Sequence, residues 1–115
     1  MNSRDKGKRG ELELCQWLRD HGVEAQRGVQ YQGSPGSPDV VSELPIHIEV
    51  KRVERLCLRS AVAQAARDSA GKKPWMVAHR WNNGEWLAIV PLEFLVELMV
   101  PKEEVPGQDF FQPEP

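Results

Sequence analysis

Cysteine is scarce in this chain. Cys15 and Cys57 stand far apart, with no metal-like spacing, so neither a thiolate metal site nor a disulfide is expected. Both are expected as buried free thiols. Long apolar runs are missing too: none approaches the ~18 residues of a membrane span. Met1 opens a polar, charged segment, unlike a signal peptide. The chain therefore reads as cytoplasmic, with no membrane partner. There is no internal repeat. Basic residues are absent from 28–49, and only one follows residue 80. What is there is ordinary for a soluble domain: 115 residues, 40% hydrophobic and 28% charged. That length suits one domain with a modest core.

The net charge of −2 hides a segregated pattern. Residues 1–27 carry +1, 28–49 carry −3, 50–80 carry +6 and 81–115 carry −6. A phosphate backbone responds to local basic density, so the stretch after residue 50 is a candidate nucleic-acid surface. A solvated helix face would explain the same charges, and the map alone does not choose.

The elements follow from periodicity and turn residues. Residues 6–21 predict a helix, with Glu11, Leu14, Cys15 and Leu18 on one stripe and Gly22 as the stop. Glu11 is an acid on the core-facing stripe. It is either a buried carboxylate needing a partner or a solvated one at a helix start, and periodicity leaves both open. Residues 23–30 predict a short strand, and 31–38 (YQGSPGSP) a loop. "DVVSE" and "IHIEVKR" predict two strands joined as a hairpin through Leu44-Pro45. Residues 58–70 predict an Ala-rich helix with Leu58, Ala61, Val62, Ala65 and Ser69 on one face. "PWMVAHRW" and "EWLAIV" predict two more strands around an Asn82-Asn83-Gly84 turn, before a helix over 92–99. The order is helix, three strands, helix, two strands, helix: a mixed α/β sheet flanked by helices, in one domain over 1–100. The acidic, Pro-rich tail over 101–115 is expected to fray.

The strand "IHIEVKR" carries the chemistry. Ile46, Ile48 and Val50 alternate with His47, Glu49 and Lys51. Glu and Lys are unusual in strands, and Asp39 precedes them after Pro38. Asp39 at the start of one strand can converge on Glu49 in its neighbour. Two such carboxylates repel unless a cation sits between them. A hard divalent ion takes oxygen ligands, which Asp39, Glu49 and the Val50 carbonyl can supply. Such an ion activates water for attack on phosphorus, and Lys51 can orient that water or offset phosphate charge. A Pro-Asp at this distance before a Glu-x-Lys arises by chance in about two chains in a hundred of this length. A surface salt bridge between Glu49 and Lys51 is the plain alternative, and it needs no Pro-Asp upstream.

Pro38-Asp39 with Glu49-Val50-Lys51 resembles the PD-(D/E)xK nuclease motif. "KGKRGELELCQWLRDHG" is similar to the first helix of archaeal-type Holliday-junction resolvases. The stretch from "HIEVKRVERL" through "AVAQAARDSAGKKPWMVAHR" looks like their small phage and prophage relatives. The resemblance covers roughly residues 6–98. It implies a restriction-endonuclease-like fold and a Mg²⁺-dependent DNA endonuclease, with Mn²⁺ as a substitute. It implies Glu11 as the acid completing the metal cluster of Asp39, Glu49 and Val50. It also implies Gln64 as a site-facing residue on the following helix, and a homodimer.

The catalytic candidates are thus Glu11, Asp39, Glu49, Lys51 and Gln64. A DNA footprint is expected on Lys6, Lys8, Arg9, Arg52, Arg55, Arg59 and Arg80, helped by Arg67, Lys72 and Lys73. His47 is either a base or a peripheral hydrogen-bonding residue. His79 either contacts phosphate or lies at a solvated strand end. The four Trp residues are expected mainly in the core or a dimer interface. The leading expectation is a phage-type junction resolvase in the cytoplasm of a bacterium or an infected host cell. The alternatives are a related nuclease on nicked, flapped or duplex DNA, a non-catalytic DNA-binding module of the same fold, and an unrelated domain.

Overall fold

A computed structural model describes residues 3–28, 37–71 and 73–101, with side chains from Gly7 onward. The elements run in the expected order: α1 (Ser3–Asp20), β1 (Ala25–Arg27), β2 (Val40–Ser42), β3 (His47–Arg52), α2 (Leu58–Ser69), β4 (Trp75–Arg80), β5 (Leu87–Ile89) and α3 (Leu92–Met99). The loop expected over 31–38 lies outside the described residues up to residue 36, and the tail lies outside them beyond Pro101.

The five strands form one sheet in the order β1-β2-β3-β4-β5. Only β3 and β4 are parallel, from His47↔Trp75 to Arg52↔Arg80. A parallel pair needs a crossover, and α2 supplies it. The other pairs are antiparallel, including the β2–β3 hairpin through Leu44-Pro45. No described helix is long and apolar enough to cross a membrane.

The helices cover opposite faces of the sheet. Leu14, Cys15 and Leu18 of α1 pack on Val40, Ile48 and Ala78, with Phe94 of α3 joining them. Ala61 and Ala65 of α2 pack on Val77. Small side chains let α2 approach closely, as its Ala-rich stripe predicts. α1 ends as expected: Gly22 takes φ +85, and the Val23 N–H donates back to the Leu18 carbonyl at 2.8 Å. The Asn82-Asn83-Gly84 turn places Asn83 at φ +63.

Two burial expectations fail. Leu58 is exposed because it begins α2, ahead of the turn that meets the sheet. Cys57 is exposed as the residue capping that helix, whereas Cys15 is buried. Trp86 and Trp75 pack against the two core clusters, while Trp17 and Trp81 lie at the surface of the single chain, Trp17 stacked on His21.

Candidate active site

β3 has two chemically different faces. Ile48, Val50 and Arg52 turn toward α1, while His47, Glu49 and Lys51 turn toward α2. The period of two expected from sequence therefore divides an apolar face from a polar, buried one.

Asp39 stands one residue before β2. Its backbone N–H donates to the Ile48 carbonyl at 2.9 Å. β3 then runs on past the end of β2, and the Val50 N–H would lack a strand partner. The Asp39 carboxylate supplies one: Oδ2 accepts that N–H at 2.8 Å. The N–H and C=O of a strand residue point the same way, so the Val50 carbonyl also faces this edge.

Glu49 lies beside Asp39 and is 1% exposed. Burial pushes its carboxyl up to about 9, reinforced by the charge of Asp39, a hydrogen bond with it, and the charge of Asp68, while Lys51 opposes. Without a cation, this pair of acids holds a proton at neutral pH. His47, 5% exposed, places Nε2 at 2.6 Å from Glu49 Oε2. Burial holds its imidazole below the usual range, against the charges of Asp68 and Asp39.

Glu11 reaches the same region from α1. It is half-buried and accepts a hydrogen bond from Arg27 Nε at 2.8 Å. Burial raises its carboxyl, the Arg27 bond lowers it, and the charge of Asp39 raises it again. Of the two readings of Glu11, the buried carboxylate with a partner is the one present. On the other side of the site, Lys51 Nζ donates to Gln64 Oε1 of α2 at 3.0 Å.

No family model matches the sequence, and no curated protein matches it. Among solved structures, the chain is similar to Hjc, a Holliday junction resolvase from the archaeal hyperthermophile Archaeoglobus fulgidus. The superposition has a TM-score of 0.58 at 23% identity, covering 85% of this chain and 84% of that one. This chain has the fold of an archaeal resolvase. The likeness anticipated from the motifs is present in three dimensions, and an unrelated fold is excluded.

The structure also contains what sequence reasoning missed. Asp68 of α2 comes within reach of β3: His47, Glu49 and Asp68 each offer a ligand atom within 4.8 Å of the others. Asp68 continues the stripe of Ala61 and Ala65 at i+4 and i+7, so the signal that singled out Glu11 was available here. Glu13, which lies off the apolar stripe of α1, accepts Arg52 Nε at 3.1 Å and Arg80 Nη1 at 2.8 Å. Those two arginines lie on the α1 side of the sheet, away from Lys51. Lys8, Arg9, Arg55 and Arg59 are exposed, and the Lys6 side chain lies outside the described residues. His79 is buried, with Nε2 bonded to the Val53 carbonyl at 2.9 Å, so it is not at a solvated strand end.

Two donor sets therefore share Glu49. Asp39, Glu49 and the Val50 carbonyl are all oxygen donors, and the charge of Asp39 bears directly on the buried Glu49 carboxyl. That set fits a hard divalent ion. The set with His47 and Asp68 brings one nitrogen donor to two acids, with His47 Nε2 already hydrogen-bonded to Glu49. For a hard ion the all-oxygen set is the better chemical match.

Proposed function

We propose that this chain is a divalent-metal-dependent DNA endonuclease of the junction-resolving kind, phage-type, acting as a homodimer in the cytoplasm of a bacterial or infected cell. The observation that carries this reading is the Asp39 carboxylate seated on the Val50 N–H beside buried Glu49, on a fold shared with a resolvase. Asp39, Glu49 and the Val50 carbonyl would hold the ion, with Glu11 completing the acidic cluster. Mg²⁺ is the expected ion and Mn²⁺ its substitute. Such an ion, when bound, supplies an activated water and charge for the phosphate.

The chain's own residues do the rest. Lys51 offsets negative charge developing on the scissile phosphate, and Gln64 holds its ammonium in place. Asp39, anchored to backbone, keeps its orientation whether or not DNA is present. Lys8, Arg9, Arg55 and Arg59 face solvent and are available to the phosphate backbone. A dimer is supported by α3, which has no buried residue and exposes Leu92 at 71% and Met99 at 74%. Two paired cuts in a four-way junction need two sites related by symmetry.

Strand cleavage of an end-labelled four-way junction, beside a linear duplex of the same sequence, tests the proposal with Mg²⁺ and with EDTA. Paired nicks in the junction alone, lost with EDTA and in Asp39→Asn, are the expected result. Equal cutting of the duplex would keep the nuclease and remove the junction specificity. No metal-dependent cutting of either would leave a DNA-binding module.

A further inference from the structure

His47 has no task in the mechanism above, yet it is among the most confined polar residues of the molecule. It stands two residues before Glu49 on the same face of β3, with its ring 5% exposed and Nε2 2.6 Å from Glu49 Oε2. Asp68 closes the α2 side of the pair. A general base needs a path to the water it deprotonates, and this nitrogen is instead committed to a carboxylate with 1% exposure.

We infer that His47 is a positioning residue that sets the metal preference of the site: by holding Glu49 Oε2 it fixes the carboxyl group and limits how many of its oxygens can reach one ion. The inference rests on the reading of Asp39 and Glu49 as metal ligands. A carboxylate with one oxygen held in a short hydrogen bond is restrained from turning both oxygens toward one ion. Single-oxygen ligation suits the octahedral geometry of Mg²⁺ and Mn²⁺. Ca²⁺, larger and with more ligands, gains from a carboxylate that can bind through two oxygens. Partners that orient a metal-binding carboxylate also raise affinity, and their loss typically costs about 10- to 100-fold. His47 therefore discriminates against Ca²⁺ without touching the ion.

The test is calorimetric titration of Mn²⁺ and of Ca²⁺ into the DNA-free wild type, His47→Leu, His47→Gln and Asp39→Ala, with circular dichroism to check folding. The Gln amide nitrogen lies as many bonds from the backbone as His Nε2 and can donate the same hydrogen bond. His47→Leu is expected to lose about 10- to 100-fold in Mn²⁺ affinity and to narrow the preference for Mn²⁺ over Ca²⁺. His47→Gln is expected to restore both. Should His47→Leu fail to fold, His47→Asn, whose amide stops short of Glu49, takes its place in the comparison. A Leu or Asn variant with wild-type affinity for both ions overturns the role of His47 while leaving the site intact. So does a Gln variant as impaired as Leu. If the wild type binds neither ion, or Asp39→Ala binds as well as wild type, the reading of the site fails and the role of His47 falls with it.

Discussion

The Asp39 carboxylate and the Val50 backbone N–H meet at 2.8 Å, one residue before Val40 and two after Ile48, the pair that joins β2 to β3. One side chain thus both ends the β-ladder and aims an acid at Glu49. These two duties separate by substitution. Asp39→Asn keeps an oxygen for the Val50 N–H and removes the charge. It is expected to melt above Asp39→Ala in EDTA, because the Val50 N–H keeps its acceptor, and to show no stabilisation by Mn²⁺. Asp39→Ala also leaves the N–H without its acceptor and is expected to lose about 1–2 kcal/mol relative to Asn. Differential scanning calorimetry with and without Mn²⁺ checks both. Equal stability of Asn and Ala would sink the structural half of the argument.

The raised pKa of Glu49 makes apo stability depend on pH in a defined direction. Its carboxyl titrates near the usual 4.5 when unfolded and about 9 when folded, so between those values the folded state holds more protons. Stability then falls as pH rises through that window. Glu11, also raised, acts in the same sense. His47 is lowered, so its contribution is present above pH 6.5 and is lost as pH falls below it. Of these groups, Glu49 is the one whose shift spans about pH 7 to 9. Urea melts in EDTA should show stability declining over that range. Mg²⁺ affinity should rise over the same range, with proton release visible when buffers of different ionisation enthalpy are compared. A flat apo profile would contradict the buried pair.

Lys51 and Gln64 are expected to separate binding from chemistry. Lys51→Ala removes the ammonium but no proposed metal ligand. Mn²⁺ affinity should stay within about threefold, while junction cleavage falls by about 10²- to 10³-fold, as for the loss of one charge-stabilising donor. Gln64→Ala frees the ammonium without removing it and should cost less. Lys51→Ala losing metal affinity in parallel with rate would place Lys51 in structure instead.

The element order was legible in the sequence, because each helix and strand carries its own period and its own stop signal. So was the facing of Glu49 and Lys51, which needs only alternation along β3. What was not legible depends on which groups meet across elements. Glu13 lies off α1's apolar stripe, where periodicity assigns no partner, yet long arginines from β3 and β4 reach over to it. Asp68 stood on a readable stripe but was passed over because Ala61 and Ala65 already explained that face. His79 looked like a strand end until the Val53 carbonyl was found beside it, a contact across 26 residues. Cys57 shows the reverse error: a residue type that is usually buried was placed by habit in the core, whereas its position is set by the start of α2.

The arginines divide into two groups with different expected phenotypes. Arg52 and Arg80 share Glu13, and Arg80 also donates to the Gly84 carbonyl at 2.7 Å. Alanine at either is expected to cost about 1 kcal/mol of stability, given that Glu13 is partly solvated. The effect on DNA binding should be small. Lys8, Arg9, Arg55 and Arg59 carry no ion pair among the described residues. Alanine at each should leave melting unchanged and reduce the slope of log affinity against log salt by about one if that residue contacts a phosphate. Salt titrations by fluorescence anisotropy on a labelled junction distinguish the groups. A lower slope for Arg52→Ala at unchanged stability would move it to the DNA surface.

The α3 face gives the last prediction. Phe94 anchors the helix to the core, but Leu92, Leu95, Val96, Leu98 and Met99 are all exposed in a single chain. Contiguous apolar surface of this kind marks an interaction site in a soluble protein. A second copy is the occupant that the proposed paired cuts would require. Leu92→Glu with Met99→Glu changes the two most exposed of these positions, so folding of the single chain should shift by no more than about 0.5 kcal/mol. Light scattering should report a dimer for the wild type and a monomer for the double variant. Junction cleavage by the monomer should give single, uncoupled nicks with the same dependence on Mg²⁺ and Asp39. A double variant that remains dimeric would place the interface elsewhere on the chain, while a wild type that is monomeric at micromolar concentration would remove the homodimer from the proposed function.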